Sequence, residues 1–472
     1  MRFSSVCSVL SLCASLAAAS PGYGEPNIPA RPVLTPAPYN SGKDFPRSAP
    51  RNKHKKCFVK PGKGDDRDDA ASIKAALKKC NNGGTVVLDK SYLVSSPLDL
   101  TFLKHIDVVI TGEIHFNAKD VYYWASNSFK YDFQNMSTFW KWGGKDVNIY
   151  GDLTNGKSVI DGHGQAYWEE IVTNKTLLRP ILFSIDGLKG GSMSNLRMRN
   201  SPNWFNIIAN SSDIIVSDLD IQAKVDSRIC QSLRRETKLG QSTDGVKIAN
   251  SDGWDTYRSD NIVIQNSFVD NTDDCVSFKP NSTNVIIQNL NCIGSHGISV
   301  GSLGQYANLT DIVENLYVYN ITMTNASDFA RIKVWPGVQS SFQELLNGGG
   351  GLGYVRNVTY DTLHSINNDR AITITQCYGQ KNQTLCQEHP ANLTIEDVTI
   401  KNVWGTTSVS ADPEAGTLIC SAPDRCSNIQ AHNITIDVPS GSTTEWECAN
   451  IDESLLDINC VSTDGDRDTT NG

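Results

Sequence analysis

Residues 250–300 read NSDGWDTYRSDNIVIQNSFVDNTDDCVSFKPNSTNVIIQNLNCIGSHGISV. Two runs within this segment, at 261–264 and 284–287, share one pattern, in which Asn precedes three β-branched residues. The runs begin 23 residues apart. That interval suits one full coil of a solenoid, in which paired strands stack about 4.8 Å apart. The segment therefore predicts a parallel β-helix.

A looser form of this pattern, a polar residue (usually Asn) before β-branched or apolar residues, recurs on both sides of this segment. Asn at its first position suits a tight turn, because Asn tolerates left-handed backbone geometry. Intervals between copies run from 18 to about 42 residues, which fits coils of 20-odd residues with inserted loops. A β-sandwich is the alternative, but no two runs are joined by a two-residue Asn-Gly hairpin turn. Further copies lie at 147–150, 195–198, 213–216, 315–318, 357–359, 392–395 and 428–429.

One helix is predicted ahead of these runs. Within the segment from Asp68 to Cys80, apolar residues recur at helical spacing. A helix-ending segment follows at 81–84, and a first strand follows at 85–88. We expect an all-β, single-stranded parallel β-helix with one short N-terminal helix and no second domain.

The bulk composition is that of a globular protein. The 472 residues are 39% hydrophobic and 20% charged, with a net charge of −9 and a pI near 5.4. The chain lacks the basic field that nucleic acid requires, so we expect no nucleic-acid partner. An anionic polymer would be repelled overall, and its capture would depend on local cations.

The N-terminal segment has the features of a secretory signal peptide. Arg2 precedes an apolar stretch over 6–19, which ends in Ala17-Ala18-Ala19. No other stretch is apolar over 18 residues, so we expect no membrane span. A high density of Asn-x-Ser/Thr sequons also favours a secreted, extracellular glycoprotein. The sequons are at Asn135, Asn174, Asn210, Asn281, Asn308, Asn320, Asn325, Asn357, Asn382, Asn392 and Asn433.

The chain divides into four expected parts. Residues 1–19 are the signal peptide, and 20–56 form a Pro-rich, poorly ordered leader. Residues 57–460 form the β-helix domain, and 461–472 form a flexible C-terminal tail.

Eleven cysteines remain after the signal peptide, in an oxidising setting. Spacing alone does not fix their connectivity, but neighbouring pairs suggest themselves, and Cys230 is left without a partner. Close Cys/His clusters are not evident in the sequence, so we expect no metal site. The suggested pairs are Cys57–Cys80, Cys275–Cys292, Cys377–Cys386, Cys420–Cys426 and Cys448–Cys460.

Polar clusters at coil spacing carry the chemistry. Asp252 precedes Asp273 by 21 residues, and Asp273 precedes His296 by 23. Hydrolysis of a glycosidic bond requires a carboxylic acid and a second carboxylate. Asp273 and Asp274 can both line a cleft only at a strand end or bulge. Mutual repulsion lets one of the three carboxyls keep a proton. A structural loop or a calcium site is the alternative for the Asp pair, and a structural turn for His296.

Arg331 and Lys333 would project from one side of an extended strand. Two cations there suit a substrate carboxylate, although an ordinary exposed strand is also compatible. Asp244 lies 29 residues before Asp273, so Asp252 is the better candidate. The stretch 224–248 lacks β periodicity and is either a long loop over the cleft or retained intron sequence.

Five segments resemble the polygalacturonase family of glycoside hydrolases, and most of all its fungal exopolygalacturonase branch. They are NSDGWDTYRSDNIVIQNS, DDCVSFKPN, GSHGISVGSLGQY, ARIKVWPG and ITQCYGQ. The likeness extends over about residues 57–460. It implies a right-handed parallel β-helix that hydrolyses α-1,4-galacturonosyl bonds with inversion and needs no cofactor.

The resemblance also implies roles. Asp273 is similar to the general acid, and Asp252 and Asp274 to the pair that activates water. Two positions depart from the family pattern: Ser251 stands where Thr is usual, and Thr272 where Gly or Gln is common. The other implied site residues are the supporting His296, the carboxylate-binding Arg331 and Lys333, the substrate-binding Tyr378 (whose alternative is simple packing) and the site-shaping Asn250.

We expect an exo-acting monomer that takes terminal galacturonic acid from the pectic polysaccharide polygalacturonate. Exo action needs a wall at one end of the groove. The candidate walls are 224–248, 348–353 and 377–386. The alternatives are an exo-acting rhamnogalacturonan hydrolase, a calcium-dependent pectate lyase on the same solenoid, and a non-catalytic carbohydrate-binding β-helix.

Overall fold

The computed structural model describes residues 28–225, 246–337, 340–343, 346–380 and 382–462. The chain winds as a right-handed parallel β-helix, in which 24 of the described strands join one sheet. The predicted fold class is confirmed. The strands are β1 Lys56–Phe58, β2 Thr85–Leu88, β3 Ser91–Val94, β4 Leu98–Ile110, β5 Glu113–Phe116, β6 Phe129–Lys130, β7 Ser137–Thr138, β8 Trp140–Tyr150, β9 Val159–Asp161, β10 Pro180–Ile181, β11 Phe183–Arg199, β12 Asn206–Ala209, β13 Ser212–Gln222, β14 Trp254–Tyr257, β15 Ser259–Asp270, β16 Val276–Phe278, β17 Ser282–Ile293, β18 Ile298–Leu303, β19 Thr310–Thr324, β20 Ala330–Val334, β21 Ser340–Gln343, β22 Leu346–Gly348, β23 Leu352–Asn368, β24 Ile372–Thr375, β25 Asn392–Thr407, β26 Glu414–Ile419, β27 Cys426–Asp437, β28 Glu445–Ala449 and β29 Cys460–Ser462.

Each central coil has three faces. In one coil β15 supplies two of them, because its backbone bends at Asn266, which has φ 51°. Residues 259–265 lie on the first face and 267–270 on the second. The third face is built by separate strands, and β12, β14, β16, β18, β20, β24, β26 and β28 pair there in that order. Among the described strands only β6–β7 and β21–β22 pair antiparallel, which excludes a β-sandwich.

Asparagine stabilises the turns between faces. Asn261, Asn284 and Asn315 open the first face in successive coils with φ of 55°, 54° and 59°. Few other L-residues adopt this left-handed geometry readily. Nδ2 of Asn315 donates to Oδ1 of Asn284 at 3.2 Å, and Nδ2 of Asn357 donates to Oδ1 of Asn315 at 2.7 Å. The turn role predicted for these residues is confirmed.

The core fills the inside of the coil. Alternate strand residues point inward, and Ile262, Ile264, Val285 and Ile287 are fully buried. Burial of one such side chain contributes about 1.5–3 kcal/mol. The same contacts repeat from coil to coil in one continuous cluster, so the core fixes the register that positions the third face.

Four helices accompany the strands in the described ranges. The first covers the N-terminal end of the core and buries Ile73 and Leu77, as predicted. The sequence predicts one helix, and the other three were missed because six or seven residues span at most two turns, too few for a clear period. The helices are α1 Ala70–Cys80, α2 Val121–Asn127, α3 Gln165–Glu170 and α4 Gln383–Glu388.

The five suggested cysteine pairs are all at bonding distance, and that prediction is confirmed. Cys57–Cys80 joins β1 to α1, and Cys275–Cys292 ties the start of β16 to β17. The remaining bonds are Cys377–Cys386, Cys420–Cys426 and Cys448–Cys460. Cys230 lies outside the described residues.

Residues 28–51 cross the first face in extended form. Nζ of Lys43 lies 2.8 Å from Oδ2 of Asp260, and the Tyr39 ring lies 4.7 Å from that of Tyr317. The sequence predicts a poorly ordered leader here, which stays a prediction; in the structure, outward groups of distant coils contact these residues. Residues 1–27, 226–245 and 463–472, which contain the expected signal peptide and most of the 224–248 stretch and of the tail, lie outside the described residues. No helix in the described ranges is long and apolar enough to cross a bilayer.

Candidate active site

The predicted residues meet where third-face strands begin. Asp252 lies two residues before β14, Asp274 two before β16 and His296 two before β18. Arg331 and Lys333 lie in β20, the next strand of the same face. Parallel register brings these positions to one edge of the sheet. All eight predicted site residues line one pocket of about 500 Å³: Asn250, Asp252, Asp273, Asp274, His296, Arg331, Lys333 and Tyr378.

The 21-residue spacing in the sequence predicts that Asp252 and Asp273 stack on each other in neighbouring coils, and the structure differs. The backbone N–H of Gly253 donates to the carbonyl of Asp274 at 2.9 Å, so Asp252 stacks on Asp274 and not on Asp273. Asp273 reaches the same cluster because 271–275 precede the strand, where side chains do not alternate between two faces. Carboxylate oxygens of the three acids lie within 4.8 Å of one another.

Asp274 is fixed on both oxygens. Oγ of Ser299 donates to its Oδ1 at 2.6 Å, and Nζ of Lys333 donates to its Oδ2 at 2.8 Å. Burial opposes ionisation, but the charge of Lys333 holds the pKa of Asp274 below its usual range. Asp274 is therefore the most rigidly held carboxylate of the three.

Asp252 has the opposite ionisation tendency. Burial, followed by the charges of Asp273 and Asp255, raises its pKa well above the usual range. Its Oδ1 is buried and has no hydrogen-bond partner among the described residues. Asp252 is thus the carboxyl of the three whose ionisation is disfavoured, and it presents an unpaired oxygen to whatever fills the pocket.

Asp273 is paired with His296. Nδ1 of His296 lies 3.3 Å from Oδ1 of Asp273, and the backbone N–H of Asp274 donates to the same oxygen at 2.8 Å. Burial opposes ionisation of Asp273, but the hydrogen bond and charge of His296 hold its pKa below the usual range. Burial likewise opposes charge on His296, yet its bond to Asp273 raises the pKa of the imidazole. The pair therefore stores one proton between its two members.

Two buried cations stand beside the acids. Side-chain exposure is 6% for Arg331 and 7% for Lys333. Nη1 of Arg331 lies 3.4 Å from Oδ2 of Asp328, while its buried Nε has no partner in the described part of the chain. The Lys333 ammonium lies 5.7 Å from the centre of the Tyr378 ring, which closes this side of the pocket.

Lys279 is a third cation at the site, and the sequence analysis missed it. Its Nζ lies 3.2 Å from Oδ1 of Asp255, 3.6 Å from Oδ2 of Asp252 and 4.7 Å from the centre of the Trp204 ring. Burial raises the pKa of Asp255 to about 7, against the opposing charge of Lys279. The sequence contained a signal for this pair. Asp255 follows the Asp252 cluster and Lys279 follows the Asp273-Asp274 cluster, so coil spacing brings the two residues close together.

Arg179 is another residue that the sequence did not reveal. Its guanidinium donates to the carbonyls of Pro202 and Ala249 at 2.7 and 2.6 Å, and to Oδ1 of Asn250 at 2.7 Å. Nδ2 of Asn250 in turn lies 3.5 Å from Oδ2 of Asp273. Arg179 therefore links the segment that enters β14 to the Asp273 carboxylate. No local motif marks it, since it lies 71 residues from Asn250.

The two departures from the family pattern contact each other. Oγ of Ser251 and Oγ1 of Thr272 lie 3.1 Å apart, and the backbone N–H of Thr272 donates to Oγ of Ser251 at 2.9 Å. Oγ1 of Thr272 also donates to the carbonyl of Ile248 at 3.0 Å. Ser251 and Thr272 therefore connect the segments that enter β14 and β16, two neighbouring strands of the third face.

A loop from an earlier coil closes one flank of the pocket. Residues 129–138 pack on β12 and β14 through Phe133, whose ring lies 4.7 Å from that of Tyr257. Nε2 of Gln134 donates to Oε1 of Gln305 at 2.9 Å, and its backbone N–H donates to the hydroxyl of Tyr306. Behind Gln305, the backbone N–H of Gly349 donates to the Gln305 carbonyl at 2.8 Å. Of the three predicted walls, 348–353 thus supports this flank.

The profile of the family described as "Glycosyl hydrolases family 28" matches residues 95–460. The chain belongs to glycosyl hydrolases family 28. An exopolygalacturonase of Cochliobolus carbonum is 48% identical over 473 residues, which cover 99% of each chain. Exopolygalacturonase X-2 of Emericella nidulans is 49% identical over 440 residues, or 93% of each chain. Among solved structures, endo-xylogalacturonan hydrolase from Aspergillus tubingensis is 30% identical with a TM-score of 0.71, over 86% of this chain and 99% of that one.

Membership of family 28 makes the chain a glycoside hydrolase and confirms the resemblance found in the sequence. The family match begins at residue 95 and spans every residue of the pocket described above. The buried acids and cations of the pocket thus all lie within the region that matches the family.

Proposed function

We propose that this family 28 enzyme is a secreted exo-acting hydrolase that releases terminal galacturonic acid from α-1,4-linked polygalacturonate, with inversion. One observation carries the proposal: three carboxylates within 4.8 Å of one another share a pocket with the buried cations Arg331 and Lys333. The names of the fungal relatives, exopolygalacturonases at 48% and 49% identity, point to the same substrate and the same exo mode.

Asp273 is the proposed general acid, and it receives its proton from His296. In the empty pocket the stored proton rests on the imidazole, since the pKa of Asp273 is lowered and that of His296 is raised. A bound sugar excludes water, which favours the neutral form of the pair, with the proton on Asp273. Asp273 then gives this proton to the leaving oxygen, and His296 is reprotonated from solvent.

Asp252 and Asp274 are proposed to hold the attacking water. The oxygen spacing of up to 4.8 Å is nearer to the separation of about 5 Å found in retaining enzymes than to the roughly 6.5–9.5 Å of inverting ones. Retention, however, needs a free carboxylate nucleophile. Asp274 is bonded on both oxygens, and burial disfavours the ionised form of Asp252. Ionised Asp274 is better suited to accept a proton from water that the unpaired Oδ1 of Asp252 orients.

Arg331 and Lys333 are proposed to bind the galacturonate carboxylate. The free Nε of Arg331 offers a donor, and Lys333 adds a point charge. Local cations of this kind overcome the repulsion between the acidic substrate and a chain of net charge −9.

Exo action is proposed to follow from the flank formed by residues 129–138. The bond from Gln134 to Gln305 joins segments of distant coils at the pocket that both residues line, and we infer that it stops a long chain from passing through. A chain end can still enter the remaining pocket of about 500 Å³.

A calcium-dependent lyase is the weaker candidate. Nζ of Lys333 lies 2.8 Å from Asp274, and Nζ of Lys279 lies 3.6 Å from Asp252. These ammonium groups already balance the carboxylates on which a calcium ion would depend. An exo-acting rhamnogalacturonan hydrolase would act on a substrate that differs only in the sugar next to the galacturonate. Comparison of turnover on the two polysaccharides therefore distinguishes this alternative.

The test is chromatography of early products. Polygalacturonate should give galacturonic acid alone from the first minutes, with no change in rate after chelation. Mixed oligomers would mean endo action, and unsaturated products that absorb in the ultraviolet would mean a lyase. Faster turnover of rhamnogalacturonan or xylogalacturonan would show that polygalacturonate is not the preferred substrate. Proton NMR of the first turnovers should show the β-anomer, as inversion of an α-linkage requires.

We also propose that the enzyme acts outside the cell as a monomer after loss of residues 1–19. Five disulfides and eleven sequons support an oxidising, secretory route. N-terminal sequencing of protein from the medium tests the cleavage, and light scattering tests the mass.

A further inference from the structure

Two histidines meet on the second face, in the N-terminal coils. His115 lies in β5 directly opposite Asp161 in β9, and Glu113 lies two residues before His115 on the same side of its strand. His163 follows Asp161 by two residues. Nδ1 of His115 lies 3.0 Å from Nε2 of His163, and ligand atoms of His115, Asp161 and His163 all lie within 4.8 Å of one another.

The surroundings orient these groups as ligands. Nε2 of His115 faces Oε2 of Glu113 at 3.4 Å, so Glu113 favours the tautomer with hydrogen on Nε2 and a lone pair on Nδ1. A carboxylate behind a histidine in this way is the usual outer support of a metal-bound imidazole. One oxygen of Asp161 accepts the backbone N–H of His163 at 2.8 Å, which fixes the carboxylate beside both rings.

We propose that His115, His163 and Asp161 form a binding site for a divalent transition-metal ion, and for zinc in particular. Nδ1 of His115, Nε2 of His163 and one oxygen of Asp161 supply three ligands, and water completes the tetrahedron. Zinc–nitrogen bonds of about 2.0–2.1 Å require nitrogens roughly 3.3 Å apart, a few tenths of an ångström wider than observed. Two imidazoles and one carboxylate favour zinc over calcium or magnesium, which prefer oxygen ligands.

The charges nearby fit a cation. Two carboxylates, Glu113 and Asp161, balance a doubly charged ion, while the adjacent Arg199 is drawn away by a 2.6 Å bond to Asp220. The site would cross-link β5 to β9 next to the start of α3, and none of its residues lines the catalytic pocket. The sequence predicts no metal site, because the two histidines are 48 residues apart and only the coil register brings them together.

Calorimetric titration of chelator-treated full-length enzyme with zinc chloride at neutral pH tests the proposal. We expect one saturable zinc site, a visible tetrahedral spectrum with cobalt, and no comparable binding of magnesium. His163→Asn keeps a residue that tolerates the φ of 50° found there, and it should weaken zinc binding at least tenfold without loss of fold. His115→Gln should do the same, and Glu113→Gln should weaken binding by about 10-fold or more.

His432→Gln, a change at an exposed histidine of β27, is the matched control and should bind zinc like the parent. Thermal unfolding with and without zinc should show a rise in midpoint for the parent and the control only. Absence of a saturable site would overturn the proposal. Zinc binding that survives His163→Asn and His115→Gln but is lost in Asp273→Asn would place the ion in the catalytic pocket and would overturn it equally.

Discussion

Nζ of Lys333 lies 2.8 Å from Oδ2 of Asp274, and the two side chains are 7% and 1% exposed. The sequence presents Lys333 as a ligand for the substrate carboxylate. The structure gives it a second task, because the same ammonium holds the pKa of Asp274 down. In the proposed mechanism, substrate binding and the activation of water both depend on this one cation.

Lys333→Ala should consequently impair turnover as well as binding. The change leaves Asp274 buried without its counter-charge, so the pKa of Asp274 rises and the carboxylate accepts a proton less readily. Loss of one partner of a buried pair costs about 3–5 kcal/mol of folding stability. Steady-state kinetics and urea unfolding measure both effects. Lys401→Ala, at a half-exposed pair with Asp361, is the control, and a change confined to KM would contradict the dual role.

Asp273→Asn should abolish hydrolysis while the enzyme stays folded. Asparagine keeps the size of the side chain and removes only the transferable proton, and loss of a general acid costs about 10²–10⁴-fold in rate. Initial rates of sugar release and thermal unfolding give the two readouts. Asp260→Asn, at a solvent-facing pair with Lys43, should retain its rate. A rate near that of the parent would remove Asp273 from the mechanism.

The pH profile should depend on His296. Its pKa is raised, so the proton it shares with Asp273 is present below that raised value and is lost as pH rises through it. The pKa of Asp274 is lowered, so its carboxylate persists until the pH falls through that low value. The profile of kcat/KM should therefore be broad on the acid side and decline on the alkaline side above about pH 6.5, the ordinary pKa of histidine.

His296→Gln should remove that alkaline decline and lower the maximal rate. His389→Gln, at an exposed histidine, should leave the profile as in the parent. An unchanged alkaline limb in His296→Gln would assign the proton to another group.

The sequence was sufficient for the fold and for the residues that lie within coil motifs. The turn asparagines recur with the coil, so the strands that follow them could be placed without coordinates. Asp252, Asp274 and His296 each precede a third-face strand by two residues, and a regular repeat makes that position visible. The fold prediction is confirmed, and these residues line one pocket, because the register is periodic.

The contacts that the sequence did not reveal come from segments outside the repeat. Arg179 reaches Asn250 from a loop 71 residues away, and Gln134 reaches Gln305 across 171 residues. Neither segment carries a period, so only the completed coil shows that they meet. The same reason applies to the leader, whose partners lie on the outward surface of many coils.

Arg179→Lys should reduce kcat more than it changes KM. Lysine keeps the charge near Asp273 but cannot hold three acceptors in the fixed fork that a guanidinium provides. Asn250 would then lose its orientation, and a small misplacement in an active site can cost up to about 10²-fold in rate. Arg356→Lys, at a half-exposed ion pair, is the control. If the variant and the parent have pH profiles of the same shape and the variant has a lower maximal kcat, Arg179 is a positioning residue. An unchanged kcat would show that Asn250 needs no such support.

Arg51→Met should show that the leader stabilises the β-helix. The Arg51 side chain is 4% exposed, and its guanidinium lies 2.9 Å from Oδ1 of Asp107 and 3.0 Å from Oδ2 of Asp146. Burial opposes ionisation of Asp146, but the hydrogen bond from Arg51 holds its pKa below the usual range. Methionine keeps the length of the side chain but removes the buried cation, so Asp107 keeps only Arg31 and Asp146 only His105 as an ionic partner, and up to about 3–5 kcal/mol of stability should be lost.

The sign of the pH effect distinguishes this ion pair from simple packing. A carboxylate with a lowered pKa contributes stability above its unfolded value, near 3.9, and loses it as pH falls. The gap between the parent and Arg51→Met in urea unfolding should therefore narrow on acidification. Lys43→Met removes an exposed leader ion pair with Asp260 and should cost no more than about 1 kcal/mol at any pH. Equal losses for the two variants would mean that Arg51 acts only by covering apolar surface.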